Sequence, residues 1–229
     1  MKVYKNQNHL TKGRCEMRII FLVAALFLSG CASSFFSGKN HEPLPEKFYA
    51  TITTKDGYGS SINLGEGYFL SCSHVIRNDA GKFDKKICLM EEFKTGPKID
   101  SSVTIISVDT LNDLVLLKSS KLINKTNIRF AHDPVLERVY WVQPAFYSDG
   151  NLFFFVSGRI SGFNPGNVFL DKPVFDGASG TGIFDRNGNL VGMAQSTFIY
   201  SKNLLFGSLA SPQKIEKFLI KNRIKIPKI

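Results

Sequence analysis

The stretch Asp176-Gly177-Ala178-Ser179-Gly180-Thr181-Gly182-Ile183-Phe184 reads as a tight glycine-rich loop that runs into a short apolar strand. Three glycines in seven residues let a backbone reverse sharply, because they reach dihedrals that other residues avoid. Asp185-Arg186-Asn187-Gly188-Asn189 follows as a hairpin turn, with the Asn-Gly pair supplying positive φ at little cost. Leu190-Val191-Gly192-Met193 is the returning strand.

The same punctuation extends in both directions. From Phe48 onward, short apolar runs such as YATIT, GYFLSCSHVI, SVTIISVD, DLVLLKS and LFFFVSGRISGF alternate with Gly, Asn and Asp clusters. No long stretch of period 3.6 intervenes, so the pattern predicts an antiparallel all-β protein, a barrel or sandwich. One helix is expected, over 212–222. Ser211 is its N-cap, Pro212 its first residue, Ile215, Phe218 and Leu219 its apolar face, and Asn222 its end. The 229 residues, 43% of them hydrophobic and 12% aromatic, suffice for a packed core and exclude a largely disordered chain.

The first thirty residues read as an address. Lys2, Lys5, Lys12, Arg14 and Arg18 precede ten consecutive apolar residues, Ile19 to Leu28. That run is shorter than the roughly 20 residues a bilayer-spanning helix needs, and it lacks the polar face of a buried amphipathic helix. It fits a signal peptide, for which Met17 offers an alternative start. Leu28-Ser29-Gly30-Cys31 resembles the lipobox of bacterial lipoproteins. That resemblance implies lipid on Cys31, attachment to a membrane and a place in the bacterial cell envelope. Residues 31–47, small and polar with two prolines, are expected to be a flexible tether.

Removing residues 1–30 leaves 24 basic and 18 acidic residues, so the formal charge falls from +10 to +6. The remaining basic residues are scattered apart from a C-terminal run, which argues against nucleic acid as a partner. Outside the leader and lipobox only Cys72 and Cys88 remain. In an exported protein they form either a disulfide or two reduced thiols, and the sequence leaves both open. No metal-ligand spacing or cofactor-binding fingerprint appears, so neither a metal nor a cofactor is expected.

Three separated residues carry a recognisable chemistry. His74 ends the apolar run Tyr68 to Ile76, and Asp113 opens the apolar strand Leu114-Val115-Leu116-Leu117. Ser179 sits in the glycine loop. Serine acyl transfer needs these types: a hydroxyl nucleophile, an imidazole to take and return its proton, and a carboxylate to fix the imidazole. The amides of Gly177 and Ser179 are placed to converge on an oxyanion. Asp109 is a rival to Asp113, four residues earlier. All four histidines precede Ser179, the reverse of the α/β-hydrolase order. The sole His-Glu pair, His41-Glu42, runs into Pro-Leu-Pro and is no zinc-protease helix.

The ordered set resembles the trypsin-like, chymotrypsin-fold serine proteases, nearest to bacterial HtrA-type enzymes without a PDZ domain and to V8-like enzymes at the serine loop. It comprises Gly67 to Ser71 with Ser73-His74-Val75-Ile76, Asn112 to Lys118, Val156 to Ser161, and Gly177 to Gly180. The resemblance implies two antiparallel six-stranded β-barrels, over about 48–120 and 136–210, with a C-terminal α-helix. It also implies a serine endopeptidase acting on protein or peptide substrates. His74, Asp113 and Ser179 would be catalytic, with Gly177 and Ser179 as the oxyanion hole. Ala178 replaces the Asp with which trypsin-like zymogens receive a freed N-terminus. Pro173 replaces the Asp that receives Lys or Arg, and no His follows Ser179 to receive Glu. A pocket for a small or medium apolar side chain is therefore expected, lined by Pro173, Val174, Ala194, Gln195 and Ser196. The alternative is an inactive or latent protease-fold lipoprotein used as a binding module.

Overall fold

A computed structural model describes residues 45–78, 80–91, 93, 98–123, 126–131, 138–147, 150–164, 167–201 and 204–224. The leader, the lipobox with Cys31 and most of the tether lie outside the described residues. The last part of the expected tether is ordered: Pro45–Phe48 is a 3-10 helix with Pro45 buried, and the Phe48 ring stacks on Phe184 at 4.8 Å. The globular part thus includes Pro45–Phe48, because an apolar ring at position 48 is worth more packed than solvated.

Two sheets follow in chain order. The first contains β1 (Tyr49–Thr53), β2 (Tyr58–Gly65), β3 (Tyr68–Ser71), β4 (Cys88–Glu91), β5 (Lys98–Asp100), β6 (Thr104–Asp109) and β7 (Leu114–Lys118), in spatial order β5-β4-β1-β2-β3-β7-β6. The second contains β8 (Arg138–Tyr147), β9 (Gly150–Asn164), β10 (Asn167–Leu170), β11 (Gly182–Asp185), β12 (Leu190–Ser201) and β13 (Leu204–Ala210). It closes as a six-stranded barrel, β10-β13-β12-β11-β8-β9. The all-β, two-part architecture agrees with the sequence. The first half differs in detail, being a seven-stranded ladder that does not close among the described residues. All ladders between named strands are antiparallel.

Continuous apolar runs become strands covered on both faces. Leu114, Val115, Leu116 and Leu117 are all fully buried, which alternation alone would not give. Their core extends past the first sheet to Phe184, Leu190, Met193 and Ala210, and onto the C-terminal helix α1 (Pro212–Lys221). The Ser211 hydroxyl accepts the Lys214 amide at 3.3 Å, as its N-cap position requires. Ile215, Phe218 and Leu219 of α1 are buried, each contributing about 1.5–3 kcal/mol. The second core gathers Val139, Trp141, Ile160, Val168, Leu170, Ala178 and Leu209 inside the barrel. The β11–β12 turn forms as expected: Asp185 accepts the amides of Asn187 and Asn189, both at 2.8 Å, and Gly188 has φ +79°.

Cys72 and Cys88 do not form a bridge. Cys88 lies in β4 and Cys72 directly follows β3, with β1 and β2 between those strands. Three inter-strand spacings of about 4.8 Å are well beyond the roughly 7 Å that Cα atoms of a disulfide tolerate.

Candidate active site

The site forms where the first sheet meets the glycine loop of the second. The β2 residue Ser60 accepts nothing from bulk solvent: it is fully buried, its amide donates to the Ser179 carbonyl at 2.8 Å, and its hydroxyl donates to the Gly177 carbonyl at 2.7 Å. Gly180 lies against this strand with φ +94°. A Cβ there would overlap the Ser60 carbonyl oxygen and approach Ser71 Oγ to 2.5 Å. Close approach and dihedral together demand glycine at 180. The Thr181 amide donates to the Ala178 carbonyl at 2.8 Å and the Ala178 amide to the Phe175 carbonyl at 3.1 Å, holding the loop tightly folded.

His74 lies in a 3-10 helix, Ser73–Ile76, immediately after β3. Asp113 ends the tight turn between β6 and β7, at φ +55°, a conformation that Asp tolerates better than most residues. Their side chains meet, with His74 Nδ1 2.7 Å from Asp113 Oδ2. Asp113 Oδ1 accepts the His74 amide at 2.9 Å and the Ser73 hydroxyl at 2.8 Å. Partial burial opposes the charge on Asp113. The His74 side chain, then the Ser73 hydroxyl and the His74 amide, outweigh that effect and hold the carboxyl below its ordinary value of 3.8. An ionised carboxylate only accepts, so Nδ1 carries a proton, and it is the neutral form of the ring that presents a lone pair at Nε2. Asp109 has another role, bracing the turn by accepting the amide and the side-chain amide of Asn112 at 3.1 and 2.7 Å.

Ser179 shares a cleft of about 1420 Å³ with His74. Its hydroxyl donates to the Gln195 carbonyl at 3.1 Å. The amides of Gly177 and Ser179 donate to no protein group among the described residues, whereas that of Ala178 is spent on Phe175. Two uncommitted amides flanking a serine hydroxyl can receive a developing oxyanion.

Gln195 joins the two halves of the site. Its side-chain amide donates to the Asn112 carbonyl at 2.7 Å, next to Asp113, while its own carbonyl receives Ser179. Of the expected pocket residues, Pro173, Val174, Gln195 and Ser196 line the cleft. Ala194 does not, because β12 turns its side chain into the barrel core, where it is fully buried. Thr197, the end of the expected strand wall, also lines the cleft, and so do Phe154 and Phe155, which the sequence does not place there. Phe154 and Phe155 come from β9, and nothing local to them signals proximity to Ser179.

The buried Cys72 thiol lies beside the His74–Asp113 pair. Burial, and then the charge of Asp113, push its pKa well up, and the neutral thiol donates to the Ala194 carbonyl at 3.2 Å. Cys72, His74 and Asp113 hold three ligand-type atoms within 4.8 Å of one another. His74 and Asp113 spend theirs on each other and the thiol keeps its proton, an arrangement suited to proton transfer.

A chymotrypsin-like pair of β-domains with a serine, histidine and carboxylate at their seam defines the protease class. Residues 58–193 match the trypsin-like peptidase domain family, and the chain belongs to that family. No curated protein sequence matches it. Among solved structures it is similar to a serine endoprotease from Yersinia pestis, with TM-score 0.61 and 21% identity over 80% of this chain. This chain spans only 64% of that protease. A protease from M. tuberculosis in its active form is similar at TM-score 0.62 and 17% identity, covering 81% of this chain and 85% of its own. A Glu endopeptidase is similar at TM-score 0.62 and 14% identity, covering 81% and 95%.

Proposed function

We propose that the chain is a lipid-anchored serine endopeptidase of the bacterial cell envelope, acting through His74, Asp113 and Ser179. The observation that carries the catalytic reading is the 2.7 Å contact between His74 Nδ1 and Asp113, made in the cleft that also holds Ser179. The lipobox-like Leu28-Ser29-Gly30-Cys31 supports the anchor, with lipid on Cys31 holding the domain at the membrane.

The reaction follows from the groups present. Ser179 Oγ attacks the peptide carbonyl carbon while its proton passes to His74 Nε2. The carbonyl oxygen becomes an anion and is received by the amides of Gly177 and Ser179, each such donor being worth about 10²–10³ in rate. Asp113 stabilises the imidazolium and keeps its ring oriented. His74 then gives its proton to the departing amine as the C–N bond breaks, leaving an acyl-enzyme on Ser179. Water, deprotonated by His74, hydrolyses the ester and restores the serine. Peptide or protein segments of the envelope are the substrates, and neither metal nor cofactor enters a step.

Labelling of the full-length chain in detergent with a fluorophosphonate tests this reading. Wild type should label on Ser179, and Ser179→Ala and His74→Ala should not. A second reading, a latent or inactive module, draws on the Ser179 hydroxyl resting on Gln195. A folded wild type that stays unlabelled would favour it.

A further inference from the structure

Ser60 holds the loop of Ser179 at several points although it belongs to the other sheet. Its amide donates to the Ser179 carbonyl at 2.8 Å and its hydroxyl to the Gly177 carbonyl at 2.7 Å. Its own carbonyl oxygen fills the space that a Cβ on Gly180 would need. The two carbonyls it holds flank Ala178, and they belong to the same two residues, Gly177 and Ser179, whose amides stand ready for an oxyanion.

The hydroxyl bond restrains what nothing else restrains. Gly177, at φ +86°, has no side chain to limit its rotation, and its amide donates to no protein group among the described residues. The peptide unit between Gly177 and Ala178 is pinned at both ends, its oxygen by Ser60 and its N–H by the Phe175 carbonyl at 3.1 Å. No second donor reaches the Gly177 carbonyl among the described residues. Tyr49 Oη is also near the Ser60 hydroxyl, at 3.2 Å, but the single hydroxyl proton goes to the shorter contact. Ser60 is fully buried, so water does not stand in for a lost hydroxyl.

The same residue sets the loop against the imidazole. The Ser60 carbonyl accepts the Ser71 hydroxyl at 2.6 Å, and Ser71 ends β3 just before the 3-10 helix that carries His74. Ser60 itself does not line the cleft and touches no reacting atom.

We propose that Ser60 is a positioning residue for oxyanion stabilisation, its hydroxyl keeping the Gly177 amide on target by fixing the Gly177 carbonyl. This rests on the catalytic reading of His74, Gly177 and Ser179. The test compares full-length wild type and Ser60→Ala in detergent, each with its fold checked by circular dichroism. Two rates are read: second-order labelling by a fluorophosphonate, and hydrolysis of the fluorogenic peptide that wild type cleaves fastest in a mixed library.

In Ser60→Ala the labelling rate and kcat should each fall at least about tenfold, a part of the about 10²–10³ that losing a whole oxyanion donor costs, with KM within about threefold of wild type. The pH at which kcat/KM is half-maximal, set by His74, should not move, because the lost bond lies on the oxyanion side. Ser60→Cys, which exchanges the hydroxyl for a weaker donor of similar shape, takes the place of the alanine variant if that one does not fold. A folded variant whose labelling rate and kcat stay within about threefold of wild type overturns the proposal, as does a loss confined to KM or a shifted pH midpoint. A folded wild type that neither labels nor cleaves defeats the catalytic reading itself, and the role of Ser60 with it.

Discussion

The Ser179 hydroxyl donates to the main-chain carbonyl of Gln195, 3.1 Å away, while the His74 imidazole is committed through Nδ1 to Asp113. The Ser179 hydroxyl must leave the Gln195 carbonyl before its proton can pass to Nε2, and rotamers at partly exposed positions exchange in nanoseconds.

Asp113→Asn keeps the shape of the carboxylate but reverses its demand on His74 Nδ1, favouring the wrong tautomer. Steady-state peptide hydrolysis should fall about 10⁴-fold in kcat, with a smaller change in KM. An activity within tenfold of wild type would remove Asp113 from the mechanism.

Gln195→Ala breaks the tie to Asn112 while sparing the carbonyl that receives Ser179. The turn carrying Asp113 then loses one hydrogen bond, and kcat should drop about tenfold, equivalent to about 1.4 kcal/mol of positioning. KM should stay near its wild-type value, and Gln195→Glu, unable to donate when ionised, should behave like the alanine variant.

Asp113 has a folded pKa below its ordinary 3.8, so its ionised form favours the folded state. That contribution is complete above the ordinary value and disappears as pH falls through the depressed one. Melting temperatures measured from pH 7 down to pH 2 should therefore fall more steeply below pH 4 for wild type than for Asp113→Asn. Parallel curves would contradict the assignment.

Gly180→Ala forces a methyl group onto the Ser60 carbonyl at a positive φ of 94°. Strain and collision at a seam between the two sheets should cost several kcal/mol, about 3 or more, and appear as a melting temperature lowered by about 10 °C. A variant as stable as wild type would mean that the loop relaxes away from β2.

The two thiols should differ in reactivity. Cys88 is partly exposed on β4, whereas Cys72 is fully buried with its pKa pushed up by burial and by Asp113. A disulfide exchange reagent should modify one thiol of the described pair in native protein, Cys88, and reach Cys72 only after denaturation. Reductant should leave the melting temperature unchanged.

Much of this protein is legible in the sequence because the relevant physics is local. Ser211 and Pro212 announce α1, and Asp185 with Asn187-Gly188 announces the hairpin, since capping and turn chemistry act within about four residues. The residue types His74, Asp113 and Ser179 stand out because each borders a strand or a glycine turn. Asp113 and Asp109 are harder to separate from sequence. Both flank the same turn, and only the fold decides that one carboxylate braces Asn112 while the other reaches His74.

What the tertiary structure alone decides are contacts between distant segments. Cys72 reaches the Ala194 carbonyl across 122 residues, and Gln195 reaches Asn112 across 83. Ala194 faces inward and Thr197 straps Val174 because of the twist and bulge of β12 against β13. Strand alternation tells which residues share a face, but which face meets the cleft depends on how the barrel closes. That closure is set by the summed packing of both cores, a quantity no short stretch of the chain contains.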